Sequence, residues 1–361
     1  MTKDYPIWKQ SISDLKELID TRIDADPLKE EQYSPVQRLI HRYPDRVLSI
    51  GIAAENRPEE KRIILRPQEL RGLSNKYEIL VESGAGKGIG INDSEYEKVH
   101  AQVVEKDRVY ACDIVIRLKE PVEEELKLMK PGAVIFSMLH LLGNHNLRDL
   151  LKKYKVIGIP MEEIRDPFGT RKIEALHETG YLGMKKGFEL WVAAGKNRDP
   201  SKCVVKVMGY GPVAWGAIRF AARNFSSVTV LNKKDFNEME RLIPETDILV
   251  NGINWPLEER GKTILITREM LKLFKSGSVI VDLISNPEGQ SPIETLHPTG
   301  LDDISFVIDG VIHTSCWGWP GLDPKGISER YSIQVAPILL EIADGLLDSL
   351  PDYILKVIVS P

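Results

Sequence analysis

Residues 204–216 read VVKVMGYGPVAWG: an apolar run, a turn with two glycines, and the start of a second apolar pattern. The run predicts a buried strand, and the pattern after the turn predicts a helix. Gly209 permits the tight turn, Gly211 lets a pyrophosphate approach the backbone, and Ala214 allows the helix to pack closely on the strand. Pro212 suits the first helical turn, whose free N–H groups bind phosphate. We therefore predict that a dinucleotide binds at Gly209, Gly211, Pro212, Val213 and Ala214.

The residues after the next strand bear on which dinucleotide binds. The apolar run 228–231 ends at Asn232, about twenty residues after the glycine turn, where an Asp or Glu normally binds the ribose 2′-OH of NAD. Asn232 is uncharged, and Lys233 and Lys234 follow it. This pattern favours a 2′-phosphate, so we predict a preference for NADP(H), with NAD(H) as the second possibility. The alternative is that the lysines are an ordinary solvated pair in a loop.

Length and composition restrict the class of protein. The chain has 361 residues, of which 42% are hydrophobic and 28% charged, with a net charge of −5. These values are typical of a globular protein with room for two domains. The charge and the absence of basic tracts indicate no nucleic-acid partner. We find no apolar run long enough for a membrane span and no signal-peptide pattern, so we expect a cytoplasmic protein.

The cysteines indicate neither a disulfide framework nor a metal site. Cys112, Cys203 and Cys316 are far apart, and none has a neighbouring cysteine at the spacing of a zinc site. We therefore predict no metal.

Strand-like and helix-like segments alternate along most of the chain. Residues 1–48 form a predicted helical N-terminal extension, with helices near 11–19 and 36–40. Strands are predicted at 48–52, 78–81, 114–118, 133–136 and 156–159, and, after a long helix at 173–194, at 204–208, 228–231, 248–250, 279–282 and 306–308. A final helix is predicted at 333–347. The alternation predicts an α/β protein with parallel sheets covered by helices on both faces, arranged as two doubly wound, Rossmann-like domains.

Several segments together resemble one family. Residues 50–63, IGIAAENRPEEKRI, resemble the opening of the alanine dehydrogenase/pyridine nucleotide transhydrogenase N-terminal domain. That superfamily includes the saccharopine dehydrogenases and N5-(carboxyethyl)ornithine synthase. The glycine turn and residues 250–253 are more similar to this opine and saccharopine branch than to alanine dehydrogenase itself. Further matches, which together with the others cover roughly residues 49–345 in order, lie at 81–88, 118–121, 139–141, 266–271, 277–282, 309–313 and 319–321.

The resemblance implies a discontinuous catalytic domain. Residues 49–180 would form this substrate domain, and residues 322–361 would complete it. Residues 181–321 would form an inserted NAD(P)-binding domain, with the cofactor in the cleft between the two and with Asn251 and Gly252 among its ligands. Relatives commonly self-associate, so a homo-oligomer is a further expectation.

Three side chains are candidates for the chemistry. Arg62 matches the family's carboxylate-binding arginine, and its planar fork suits bidentate binding. Lys119 follows a predicted strand, where α/β sheets bind ligands, and could hold substrate or move a proton. His140 also ends a strand and suits acid–base chemistry. The alternatives are a surface arginine, a solvated lysine and a hydrogen-bonded histidine without a role in the reaction.

One position departs from the family pattern. Alanine dehydrogenases place an Asp four residues after the motif that ends at Asp282, whereas this chain has Asn286. Asn cannot accept a proton or hold a charge, so Asp is dispensable here, Glu288 replaces it, or the chemistry differs. Trp317 and Trp319 follow nearby and either line a bulky substrate pocket or pack between the domains.

The favoured function is an NAD(P)H-dependent dehydrogenase of the amino-acid or opine type. It would reduce the imine of a 2-oxo acid and an amine, or catalyse the reverse oxidative deamination. One alternative is an alanine dehydrogenase that uses ammonia. Another is a transhydrogenase-like or non-catalytic nucleotide-binding module, because fold alone does not decide function.

Overall fold

The computed structural model describes residues 47–57, 59–141, 143–196, 198–224, 227–284, 286–346 and 349–360. Almost all of the predicted N-terminal extension, including both of its helices, lies outside these residues. Leu48 is described, and it is fully buried in the core that also contains Ile50 and Ile52. Leu48, the first residue of the strand predicted at 48–52, therefore packs with the first domain, and the predicted domain bounds stay a prediction.

The first domain is built on a six-stranded parallel sheet. Its strands are β1 (Ser49–Ile52), β2 (Glu78–Glu82), β3 (Gln102–Val104), β4 (Ile114–Ile116), β5 (Val134–Ser137) and β6 (Ile157–Pro160), in the order β3-β2-β1-β4-β5-β6. This is a doubly wound order, with the direction of winding reversing at β1. The sequence did not predict β3, because this strand has only three residues and lies at the exposed edge.

Helices cover both faces of the first sheet. They are α1 (Pro67–Ser74), α2 (Asp93–Glu97), α3 (Lys106–Tyr110), α4 (Glu123–Leu126) and α5 (His145–Tyr154). Successive residues of a strand point to opposite faces. Accordingly, Ile114 and Ile116 belong to one buried cluster, while Val115 between them belongs to the other.

The second sheet also has six strands. They are β7 (Val204–Met208), β8 (Ser227–Leu231), β9 (Ile248–Asn251), β10 (Val279–Asp282), β11 (Phe306–Ile308) and β12 (Val311–Thr314), in the order β11-β12-β10-β9-β7-β8. All pairs are parallel except β11 with β12. The sheet is therefore predominantly parallel, as predicted, with one antiparallel strand at this edge. Asp309 and Gly310 both have positive φ and form the two-residue turn typical of an antiparallel hairpin.

The remaining helices are α6 (Leu176–Ala193), α7 (Pro212–Asn224), α8 (Met239–Leu242), α9 (Pro324–Gly345) and α10 (Asp352–Leu355). The last long helix, α9, starts well before the predicted residue 333. Asp323 accepts a hydrogen bond from the Gly326 N–H, and Pro324 occupies the first turn, so these two residues define the true start. No helix in the described part of the chain has both the length and the apolar character to cross a membrane.

The end of the chain packs against the first sheet. Residues of α9, among them Val335, Leu339 and Ile342, lie in the same buried cluster as Ile50 and Ile52 of β1. The chain therefore leaves the first domain, forms the second sheet, and returns. Which of the two domains binds the substrate stays a prediction at this point.

Candidate functional site

Lys119, Glu120 and His140 lie at the carboxyl edge of the first sheet. Lys119 and Glu120 follow β4, and His140 follows the neighbouring strand β5. Glu55, which follows β1, accepts hydrogen bonds from the backbone N–H groups of Leu118 (2.7 Å) and Lys119 (3.1 Å). Three adjacent strands thus bring these side chains to the edge where parallel sheets bind ligands.

Arg62 belongs to the same group of charges. Its side chain is only 5% exposed, so the alternative of a surface arginine is wrong. Its Nε donates to Glu60 Oε1 (2.6 Å), and its Nη2 forms a second, short bond to Glu60 Oε2. Burial lowers the pKa of Lys119, and the charge of Arg62 lowers it further. Burial opposes the ionisation of Glu60, but the hydrogen bonds and charge of Arg62, with that of Lys119, lower its pKa.

His140 is held by two carboxylates. Its Nδ1 lies 2.7 Å from Glu120 Oε1, and the other oxygen of Glu120 accepts from Arg57 (3.0 Å). The backbone N–H of His140 donates to Glu162 (2.6 Å), which supports a left-handed backbone with φ of 47°. Such a φ is uncommon outside glycine, so the bond to Glu162 fixes an otherwise unfavourable turn.

Among the described residues, this arrangement pairs Nδ1 of His140 and leaves Nε2 available for chemistry. Burial alone would raise the pKa of Glu120, but the hydrogen bond from His140 and the charge of Arg57 lower it to about 2. Glu120 is therefore an ionised acceptor, and it favours the tautomer in which Nδ1 donates. The side chain of His140 is 54% exposed, so Nε2 can reach a ligand.

A buried charge network supports the backbone at Lys119. Arg117 is fully buried and donates to Tyr110 Oη (2.7 Å), Glu125 Oε2 (2.5 Å) and Glu55 Oε2 (3.2 Å). Glu55 in turn binds the backbone at Lys119, as described above. Sequence reasoning assigned no role to these residues. The available signal was Arg117 itself, a charged residue between two apolar ones at the end of a buried strand.

The glycine turn after β7 has the close contacts expected of a dinucleotide-binding turn. Gly209 has φ of 93°, and a Cβ there would lie 3.0 Å from the Gly252 carbonyl oxygen. A Cβ on Gly252 would lie 2.7 Å from the Ala214 Cβ. By contrast, a Cβ on Gly211 would meet nothing within 4 Å. Packing thus requires Gly209 and Gly252, whereas Gly211 leaves open space beside the start of α7, where phosphates bind. These residues fit a dinucleotide.

The turn after β8 contains an acidic residue that the sequence reading did not consider. Asn232 donates through its backbone N–H to Asp235 Oδ2 (2.7 Å), and its Oδ1 accepts from the Lys234 N–H (3.0 Å). The side chains of Lys233 and Lys234 are exposed. Two cations and one carboxylate therefore share the position that contacts the adenosine ribose in this fold.

A buried polar group lies at the carboxyl ends of β9 and β10. The Asn251 amide donates to Asp282 Oδ1 (3.1 Å), and its oxygen accepts from the Ile253 N–H (3.2 Å), so Asn251 shapes the turn before Gly252. Burial raises the pKa of Asp282 to about 6. Asn286 is only 2% exposed, and neither atom of its amide has a partner in the described part of the chain.

Glu288 and the two tryptophans near Asn286 do not have the placement expected of residues that line a ligand pocket. Glu288 is exposed, so it does not replace the missing Asp at a buried position. Trp319 is buried and donates from Nε1 to the Asp282 carbonyl (3.0 Å), which is a packing contact, while Trp317 is half exposed.

The chain combines two doubly wound sheets. One sheet carries a dinucleotide-binding turn, and the other carries a cluster of Arg, Lys and His side chains. This combination defines the class of two-domain nicotinamide-dependent oxidoreductases. The chain belongs to one family within it. The model of the alanine dehydrogenase/PNT N-terminal domain matches residues 51–180, and that of the C-terminal domain matches residues 228–355. Together the two models cover more than two thirds of the chain.

Individual relatives agree with this assignment. An alanine dehydrogenase of Staphylococcus epidermidis is 28% identical over 311 residues, covering 77% of this chain and 83% of the relative. An alanine dehydrogenase 2 of Staphylococcus aureus is 27% identical over 332 residues, covering 82% and 88%.

Solved structures match the fold. An L-alanine dehydrogenase superposes with a TM-score of 0.77 at 23% identity, covering 86% of this chain and 94% of the other. A transhydrogenase from Sinorhizobium meliloti superposes with a TM-score of 0.69 at 22% identity, covering 82% and 94%. The predicted superfamily and fold class are confirmed. The predicted closeness to the opine branch is not among these findings and stays a prediction.

Proposed function

We propose that the chain is an amino-acid dehydrogenase that interconverts a 2-oxo acid plus an amine with the corresponding amino compound, using a pyridine nucleotide. The observation that supports this most directly is the cluster of Arg62, Lys119 and His140 at one sheet edge, in a member of the alanine dehydrogenase family. A transhydrogenase-like or non-catalytic module needs no such cluster.

Arg62 and Lys119 would bind and polarise the oxo acid. Glu60 occupies Nε and Nη2 of Arg62, so the substrate carboxylate would approach through Nη1 and the nearby ammonium of Lys119. Because the pKa of Lys119 is lowered, its amine can also release a proton more readily than an exposed lysine.

His140 would move the protons that the reaction requires. In the reductive direction, the amine would add to the carbonyl carbon, and the oxygen would leave as water after it gains a proton from Nε2 of the imidazolium form of His140, which becomes the neutral Nδ1–H tautomer. In the oxidative direction, the same nitrogen accepts a proton from the attacking water. A nicotinamide held at the glycine turn would supply hydride transfer to or from the former carbonyl carbon. Glu120 keeps His140 oriented throughout.

The amine is either ammonia or an amino acid. The printed names of the relatives favour ammonia and an alanine-dehydrogenase reaction. Asn286 stands where the resemblance places an Asp, and this departure from the alanine dehydrogenase pattern favours the opine-type interpretation. Both reactions use the same cluster.

Lys233 and Lys234 support a preference for NADP(H), because their exposed ammonium groups follow the position that contacts the ribose. Asp235 favours NAD(H), because a carboxylate in the same turn would repel a 2′-phosphate. We propose NADP(H). Replacing both lysines by Ala should then weaken NADPH binding about 10- to 100-fold, as expected for lost charged hydrogen bonds, and leave NADH binding unchanged. An equal effect on both nucleotides, measured by titration calorimetry, would contradict the preference.

The test of the function is to replace the cluster without disturbing the nucleotide turn. Lys119→Ala and His140→Gln should each lower kcat by about 10²- to 10⁴-fold, the usual range for general acid–base groups. The dissociation constant of the nucleotide should stay within a factor of about two, because neither residue lies on the second sheet. His100→Gln, an exposed histidine on the same domain, is the control and should leave kcat unchanged. If kcat is unaffected in both site variants, the proposal fails.

A further inference from the structure

We infer that the side-chain amide of Asn286 binds the carboxamide of the nicotinamide ring; the inference rests on the proposed function. Asn286 is 98% buried, and both its Oδ1 and its Nδ2 lack a hydrogen-bond partner in the described residues. Buried polar atoms are nearly always paired in folded proteins, so an amide with both atoms unpaired needs an explanation such as a ligand or a water.

The order of strands places Asn286 on the nicotinamide side of the dinucleotide. From β8 the order is β7, β9 and β10. The predicted 2′-phosphate site follows β8, and the glycine turn follows β7. A dinucleotide lies across the carboxyl edge at the point where the winding reverses, so its second half must extend past β9 toward β10. Asn286 is four residues beyond the end of β10, and strands are about 4.8 Å apart, so it lies within the reach of a nucleoside bound at the turn.

The same edge contains further unpaired polar atoms. Asp282 at the end of β10 has its Oδ2 buried and unpaired. Ser315 follows Thr314, which pairs with Val281 in the register of β12 on β10, so Ser315 is beside Asp282. Its Oγ is also buried and unpaired. Unpaired atoms on two adjacent strands and on Asn286 thus concentrate at one end of the sheet, which is where this class of fold binds ligands.

The hydrogen-bonding atoms of the Asn286 side chain restrict which ligand group can pair with both of them. Asn286 offers one acceptor and one donor, and both must be used. An ammonium group only donates, and a carboxylate only accepts, so neither pairs both atoms. A primary carboxamide does, through one N–H donated to Oδ1 and one carbonyl accepting from Nδ2. The nicotinamide has this group, whereas an Asp at position 286 would lose the donor.

The test measures binding of three nucleotides by titration calorimetry. They are the oxidised dinucleotide that the chain prefers, its 3-acetylpyridine analogue, which keeps the carbonyl but lacks the amide N–H, and the matching ADP-ribose, which lacks the ring. The native chain should bind the nicotinamide form about tenfold more tightly than the acetylpyridine form. In Asn286→Leu, this ratio should fall to about one, with unchanged binding of the ADP-ribose. Asn75→Leu, an exposed position on the first domain, is the control and should keep the tenfold ratio.

A second variant covers the case in which Leu disturbs the loop. Asn286→Asp keeps the acceptor and loses the donor, so it should weaken both ring-containing nucleotides together and preserve their ratio. The inference is overturned if Asn286→Leu keeps the tenfold ratio, or if Asn286→Asp binds both forms as tightly as the native chain. It is also overturned if the native chain binds the nicotinamide and acetylpyridine forms with equal affinity. A native chain that binds no pyridine nucleotide would instead refute the proposed function and this inference with it.

Discussion

Asp282 is the buried carboxyl at the end of β10, and its ionisation bears directly on the stability of the fold. Burial raises its pKa to about 6, and the hydrogen bonds that Oδ1 accepts from the Ile284 N–H and the Asn251 amide only partly offset this effect. In the unfolded chain the same group titrates near 3.8. The folded protein therefore binds this proton more tightly than the unfolded chain does.

The expected result is a loss of stability as the pH rises from about 4 to about 6. Well below pH 3.8 the group is protonated in both states and costs nothing, and about one pH unit above 6 the penalty is complete, about 3 kcal/mol at most. Asp282→Asn keeps an oxygen acceptor and cannot ionise, so its gain in the free energy of unfolding should be present at pH 7.5 and absent at pH 3.8. Urea unfolding at both pH values measures this. An equal effect of the variant at the two pH values would contradict the shift.

The candidate site shows what sequence can identify residue by residue. Arg62, Lys119 and His140 were candidates because they follow strand ends or match a family motif. The residues that orient them were not found, because Glu60, Glu120 and Glu162 lie outside the predicted strands and helices, where most carboxylates are solvated. Only the fold brings Glu120 within 2.7 Å of a histidine twenty positions later in the chain.

At the scale of elements, the helix pair α6 and α7 depends on two glycines. A Cβ on Gly180 would lie 1.8 Å from the Val213 carbonyl oxygen, and one on Gly216 would lie 1.9 Å from the His177 carbonyl oxygen. Both neighbours are backbone atoms, which cannot rotate away. The helices therefore approach so closely that no larger residue fits at either position.

We expect Gly180→Ala and Gly216→Ala to destabilise the protein by about 3 kcal/mol or more, since separating the helices also exposes their packed faces. Gly72→Ala in α1 is the matched control, because its Cβ would meet nothing within 4 Å. It should stabilise the helix by about 0.4–1 kcal/mol. Chemical denaturation of the three variants tests the pair. Similar small changes in all three would show that the helices do not pack this closely.

Secondary structure was predictable where an apolar pattern was long and failed where the pattern was short. The helix at 173–194 and most strands were found within a few residues, whereas β3 and β12 were missed. The three partly exposed residues of β3 give too weak a signal. The four residues of β12 were missed because the turn at Asp309 and Gly310, which pairs β12 with β11, was not interpreted as a hairpin.

For the whole molecule, the order of motifs along the chain decided the fold, and the two family models confirm it. The identity of the amine could not be predicted, because it depends on the shape and hydrogen bonding of a substrate pocket rather than on any single motif. The preference for a 2′-phosphate was also not decided by the sequence pattern, because Asp235, three residues after Asn232, brings a carboxylate into the same turn as the two lysines.

The central claim, pyridine-nucleotide-dependent amination of a 2-oxo acid, is tested most directly by one assay. Oxidation of NADPH and of NADH would be followed by absorbance with a panel of 2-oxo acids, each combined with ammonia, ornithine, lysine or no amine. The account predicts turnover that requires both an oxo acid and an amine and is faster with NADPH; turnover with ammonia alone would identify the alanine-dehydrogenase form, and turnover only with an amino acid the opine form. No turnover with any pair, in a protein that binds the nucleotide, would contradict the account.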